Sequence, residues 1–157
     1  SERQKRENEL RTMFDSIMRR GNEVAECERA TLFVVDHAKQ EIWSLSSPHH
    51  NVPNIMRMPI TKGFAGYVAR TGEIVRTDCA YDDARFFSEF DRQHSFVTRN
   101  LLCAPVKDDS GKVVALVQFV NKREGIFTTA DERLIRMLCH HVAIFMESTE
   151  SAEHFCG

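Results

Sequence analysis

The sequence has no apolar run approaching the roughly 18 residues that a membrane helix requires, so no span is expected. It has no excess of charge: 21 Lys and Arg stand against 23 Asp and Glu, for a net charge of −2. A dedicated nucleic-acid binder usually shows a basic surplus, so that class is disfavoured. The opening residues, SERQKRENEL, lack the apolar core of a signal peptide, and a cytoplasmic location is expected. The five cysteines (Cys27, Cys79, Cys103, Cys139 and Cys156) are odd in number and widely spaced, with no CxxC among them. That usage suggests free thiols and argues against a disulfide framework or a zinc site. GxSxG, GxxxxGK[ST] and GxGxxG are all missing. Neighbouring residues on a helix point about 100° apart, so Cys139-His140-His141 cannot share one metal ion, and His49-His50 read as loop. No internal repeat stands out. What is present is a chain of 157 residues, 42% hydrophobic, which suits one domain with a sizeable core and is too apolar for disorder.

Hydrophobic periodicity divides the chain into helix, sheet and helix. Residues 1–29 are expected to form one long connecting helix, with Leu10, Met13, Phe14, Ile17 and Met18 on a single stripe. That stripe suits packing on the domain, on a second copy, or on both. ATLFVV (Ala30 to Val35) and EIWSL (Glu41 to Leu45) read as a hairpin. Further strands are expected over Ile55–Ile60, Ile74–Thr77, Leu101–Val106 and Lys112–Val120, the last two joined by the turn residues Asp108-Asp109-Ser110-Gly111. Helices are expected over Phe64–Arg70, around Arg85–Phe90, and from Thr128 or Thr129 onward. The last carries Asp131 and Glu132 in its first turn and a stripe of Leu134, Ile135, Leu138, Val142 and Phe145. Terminal helices and hairpin connections favour an antiparallel α+β fold over a doubly wound parallel one. Residues 1–29, 30–148 and 149–157 are taken as connecting helix, domain and tail.

Two stretches carry possible binding chemistry. Gly63-Phe-Ala-Gly66 opens a helix, where unpaired amides and the helix dipole favour an anion; on spacing alone a plain turn before a helix is the better account. Phe87 to Asn100 (FSEFDRQHSFVTRN) combines hydrogen-bonding groups, among them Asp91, His94 and Thr98, with the flat faces of Phe87, Phe90 and Phe96. A loop anchored by its phenylalanines would show the same composition. Neither stretch offers a catalytic constellation.

Five blocks in order, ATLFVVD, ITKGFAGYVARTGE, TRNLLCAPV, ALVQFVNK and NKREGIFTTADE, resemble the GAF domains of cyclic-nucleotide phosphodiesterases over about residues 10–148. The resemblance implies a six-stranded antiparallel sheet with the terminal helices on one face and a ligand pocket on the other. It implies a regulatory, non-catalytic domain that binds a cyclic nucleotide, cAMP or cGMP, without a cofactor, and controls a linked phosphodiesterase catalytic domain. A homodimer through the terminal helices is implied as well. Carried over by position, the phosphate would rest on the amides of Phe64 and Ala65. The base and ribose would meet Phe87, Asp91, His94 and Thr98, with Thr31, Leu45 and Ser46 walling the base. Lys122 and Asp131 would form a bracing salt bridge. His94 stands where some members carry a small hydroxyl residue, and Leu45-Ser46 where some carry Phe-Asp. The loss of that aspartate inclines the expectation toward cAMP. The alternatives are a ligand-free module that dimerises, a tetrapyrrole binder, and a methionine sulfoxide reductase using Cys79 and Cys103.

Overall fold

The computed structural model describes residues 1–48 and 56–149. The elements run α1 (Glu2–Ala25), β1 (Cys27–Asp36), β2 (Glu41–Ser46), β3 (Arg57–Pro59), α2 (Gly63–Thr71), β4 (Val75–Thr77), a short turn of 3₁₀ helix (Ala80–Asp82), α3 (Glu89–His94), β5 (Leu101–Lys107), β6 (Val113–Lys122) and α4 (Thr129–Thr149). The strands form one six-stranded sheet in the order β3-β2-β1-β6-β5-β4, and every neighbouring pair is antiparallel. The fold is therefore α+β, as the helix and hairpin pattern implied. His49-His50, Ile55 and the tail beyond Thr149 lie outside the described residues.

Strand alternation builds a core on each face of the sheet. Ala30, Leu32 and Val34 of β1 join Ala115, Val117 and Phe119 of β6 in one cluster, which α1 covers with Phe14 and Met18 and α4 with Ile135 and Val142. Phe33 and Val35 join Leu101, Cys103, Leu116 and Val120 on the other face, beneath Phe64, Ala65 and Val68 of α2. The central strands thus read as nearly continuous apolar runs because both of their faces are covered. Gly21 keeps the two terminal helices close, since a Cβ there would lie 2.7 Å from Leu138 Cδ1.

Several boundaries differ from the sequence expectation, most by a residue or two, and three of them bear on the site. The first helix stops at Ala25, not near residue 29, because Glu26 turns left-handed (φ 54°). Cys27 and Arg29 then pair with Lys122 and Val120 as part of β1. The short helix starts at Glu89 instead of Arg85, because Asp83 binds Arg85 through both its backbone amide (2.9 Å) and its guanidinium (2.7 Å), forming a turn there. β6 extends two residues past Val120, to Lys122.

Candidate ligand-binding site

On the face opposite the terminal helices lies a cavity of about 350 Å³, within the size range of small-molecule sites. Its floor is the sheet: Arg29, Thr31 and Phe33 of β1, and Gln118 and Val120 of β6. Its walls are the start of α2 (Gly63, Phe64, Ala65), Phe86 and Phe87, and Asp91, Phe96 and Thr98 from α3 and the loop after it. Met56, Arg57 and Met58 close the side near β3.

The opening of α2 is built by its glycines. Lys62, the cap residue, is extended and gives no side-chain cap, and Gly63 takes φ +72°, which costs glycine little. The first main-chain bond of the helix runs from Gly66 N to Lys62 O (3.2 Å). The amides of Gly63, Phe64 and Ala65 precede it and have no acceptor within the helix. Gly66 allows the helix to lie on the chain leaving β3, because a Cβ there would come 2.4 Å from Ile60 O. Arg70 Nη1 donates to that same carbonyl at 2.6 Å.

Asp91 organises the cover. It is buried, and its carboxylate accepts from Tyr81 OH (2.6 Å), Thr98 N (2.8 Å) and Thr98 Oγ1 (2.9 Å). The bond to Asp91 raises the Tyr81 hydroxyl above its ordinary pKa, as expected for a donor held by a carboxylate. Farther along, Asn121 Oδ1 accepts from Arg99 N (2.6 Å), and Asn121 Nδ2 donates to Val97 O (2.8 Å) and Glu28 Oε2 (2.6 Å). The cover segment is thereby tied to the end of β6. Inside the cavity the Arg29 guanidinium lies 3.8 Å from the centre of the Phe96 ring, a cation–π contact, and burial lowers the pKa of this arginine.

The structure brings most of the expected site residues together. Thr31, Phe64, Ala65, Phe87, Asp91 and Thr98 all line the cavity. Thr31 Oγ1 also shares a hydrogen bond with Ser47 Oγ (2.9 Å). His94 closes α3, and its side chain lies outside the described residues. Leu45 and Ser46 do not line the cavity, which corrects their expected place. The β1–β2 register shifts between Leu32 and Phe33, so Leu32 faces Ser46 while Phe33 faces Ser44. Leu45 shares the face of Trp43, in the core under α1, and the bulge brings Ser46 to that same side, where Ser46 Oγ donates to Asp15 of α1. Lys122 and Asp131 lie away from the cavity: Lys122 Nζ donates to Asp131 Oδ1 (3.0 Å) and to Ala25 O (2.6 Å), joining β6 to both terminal helices.

Arg29 and Gln118 are cavity residues that the sequence reading did not single out. The sequence pattern places Arg29 at the end of the first helix. Gln118 pairs directly with Thr31 and is the one polar side chain between Leu116 and Val120 on its face of β6, which was the available signal.

The four cysteines among the described residues do not converge on a reactive site. Cys103 is fully buried and its thiol is pushed well up by desolvation; Cys27 and Cys139 are pushed up to about 12, mainly by burial. Cys79 is exposed. No group of three metal-ligating side chains occurs among the described residues, and no helix among them is long and apolar enough to cross a membrane.

A two-faced antiparallel sheet, with the terminal helices on one side and a polar and aromatic cavity on the other, defines an α+β domain with a cavity of small-molecule size. The chain belongs to the GAF domain family, whose model matches residues 9–146. It is 30% identical to the "Probable 3',5'-cyclic phosphodiesterase pde-5" of Caenorhabditis elegans over 88% of this chain and 21% of that protein. It is 37% identical to the "Dual 3',5'-cyclic-AMP and -GMP phosphodiesterase 11A" of Takifugu rubripes over 52% of this chain and 9% of that one. The chain therefore spans about a fifth or less of these relatives. Among solved structures, the GAF domain of a phosphoenolpyruvate-protein phosphotransferase from Coxiella burnetii superposes with a TM-score of 0.81 at 15% identity, covering 96% of this chain and 91% of that chain. That last likeness concerns the fold alone.

Proposed function

We propose that the cavity binds a purine cyclic nucleotide, cAMP in preference to cGMP, and that this binding regulates a phosphodiesterase catalytic domain on the same polypeptide. The observation that carries the reading is the start of α2: three amides without helical acceptors at the edge of a cavity, at the positive end of a helix dipole. One phosphate needs no basic surface there, which reconciles an anionic ligand with a net charge of −2. Phe87 and Phe96 offer flat faces for a base, and the Gln118 amide offers both a donor and an acceptor.

The preference for cAMP rests on different residues from those first expected, because Leu45 and Ser46 are on the far side of the sheet. Guanine presents adjacent N1 and N2 donors that suit a free carboxylate. Two carboxylates line the cavity among the described residues: Asp91 is buried and its oxygens already receive three hydrogen bonds, and Glu89 is exposed at the rim and accepts from Gln93 Nε2 (3.3 Å). Relatives named as cyclic-nucleotide phosphodiesterases support the link to such a catalytic domain. Pairing of two chains through α1 and α4 belongs to the same proposal. Val24, Met137 and Ile144 are large apolar side chains exposed on these helices.

Isothermal titration of nucleotide-free chain with cAMP and cGMP tests the reading. Heat with both and tighter binding of cAMP is expected. No heat with either at tens of micromolar protein sinks it, and tighter cGMP binding removes the base preference. The reductase alternative is not favoured, since its Cys103 is sealed in the core.

A further inference from the structure

We infer that Asp91 is a positioning residue that fixes the polarity of the Thr98 hydroxyl, so that the ligand atom meeting Thr98 must be a hydrogen-bond donor. The inference rests on the reading of the cavity as a cyclic-nucleotide site. A hydroxyl has one hydrogen to give and two lone pairs to receive with. Thr98 gives its hydrogen to Asp91 Oδ1 at 2.9 Å. Asp91 is held in place from its other oxygen, Oδ2, by Thr98 N at 2.8 Å and Tyr81 OH at 2.6 Å. The carboxylate has no hydrogen to return, so Thr98 Oγ1 can only accept from the cavity it lines. Thr98 is 5% exposed and Asp91 4%, so water is a poor substitute for a matched partner at this point.

A cyclic adenine nucleotide has two kinds of donor that meet the requirement, the ribose 2′-hydroxyl and the exocyclic amino group. Two analogues separate them: 2′-deoxy-cAMP lacks the first, and inosine 3′,5′-cyclic monophosphate replaces the second with a carbonyl acceptor. Asp91→Asn reverses the constraint at nearly constant shape. Two donors surround the site of Oδ2, so the amide oxygen settles there and the amide nitrogen falls at the site of Oδ1. It then donates to Thr98 Oγ1, and the threonine hydrogen is freed to point into the cavity.

Calorimetric titration of the chain, Asp91→Asn and Thr98→Val with the three nucleotides tests this. One analogue is expected to bind the native chain at least about tenfold more weakly than cAMP, a difference of about 1.4 kcal/mol. That penalty is expected to fall below about threefold, or change sign, in Asp91→Asn, and to vanish in Thr98→Val. If the native chain binds cAMP and both analogues equally, or if the penalty persists in Thr98→Val, the inference is wrong while the cyclic-nucleotide reading stands. A penalty unchanged in a folded Asp91→Asn protein also overturns it. If the native chain binds none of the three, the reading of the cavity falls and the inference falls with it.

Discussion

Asn121 shows how much one side chain does here. It sits at the end of β6 with φ +61°, a conformation that asparagine tolerates better than other non-glycine residues. Its amide serves Arg99 N, Asn100 N, Val97 O and Glu28 Oε2 while being 1% exposed. Asn121→Ala leaves these buried groups unpaired and puts alanine in a left-handed position. A loss of about 3–4 kcal/mol is expected from urea denaturation. Thiol chemistry gives a second check at this scale. The thiolate is the reactive form, and burial holds Cys27, Cys103 and Cys139 in the neutral form. Brief alkylation at about pH 8, followed by peptide mapping, is expected to find Cys79 modified and those three intact until denaturant is added. Early labelling of Cys103 would reopen the reductase reading.

At the scale of elements, legibility followed periodicity. The apolar stripes of α1 and α4 and the runs of β1, β5 and β6 were plain in the sequence, because two-sided burial leaves few polar interruptions. What escaped were features set by contacts distant in sequence. A bulge between β1 and β2 reverses the face of Ser46, and no pattern within EIWSLS announces it. The charged neighbours of Arg29 match those of α1 and read as helix; only pairing with β6 makes it a cavity residue. Asp91 was placed in the site from its position before TRN, yet its partner Tyr81 lies ten residues earlier, beyond reach of local reading. The glycines of α2 were visible as a turn, and their reason was not. Gly66 is glycine because the chain leaving β3 occupies the space of a Cβ, 2.4 Å from Ile60 O. Gly66→Ala is expected to push α2 off that strand, lowering stability by about 1–3 kcal/mol and weakening nucleotide binding through its displaced amides. Paired denaturation and titration curves check both effects; unchanged affinity would detach the helix start from the ligand.

Across the whole molecule, the sheet separates two structures that meet at few points. One face holds the cavity and the other the terminal helices; they come close in bonding at the end of β6, through Asn121 and Lys122, and at the β1–β2 bulge. Thr31, in the cavity, bonds Ser47; the adjacent Ser46 bonds Asp15 of α1; and Leu45 O accepts from Arg11 at 3.1 Å. A ligand that binds only the folded chain stabilises it by mass action, and this term is independent of which face a neighbouring substitution touches. At a hundredfold excess over its Kd, cAMP is expected to add about 2.7 kcal/mol. For a chain of this size that raises Tm by about 5–11 °C. Arg11→Ala removes a bond on the helix face alone. It is expected to lower the basal Tm while keeping the full rise with cAMP, whereas Thr98→Val on the cavity face is expected to reduce the rise. Scanning calorimetry of the three proteins with and without nucleotide reads these outcomes directly. Should Arg11→Ala abolish the rise while the protein remains folded, the two faces would be energetically one unit, and the separation argued from the sheet would fail.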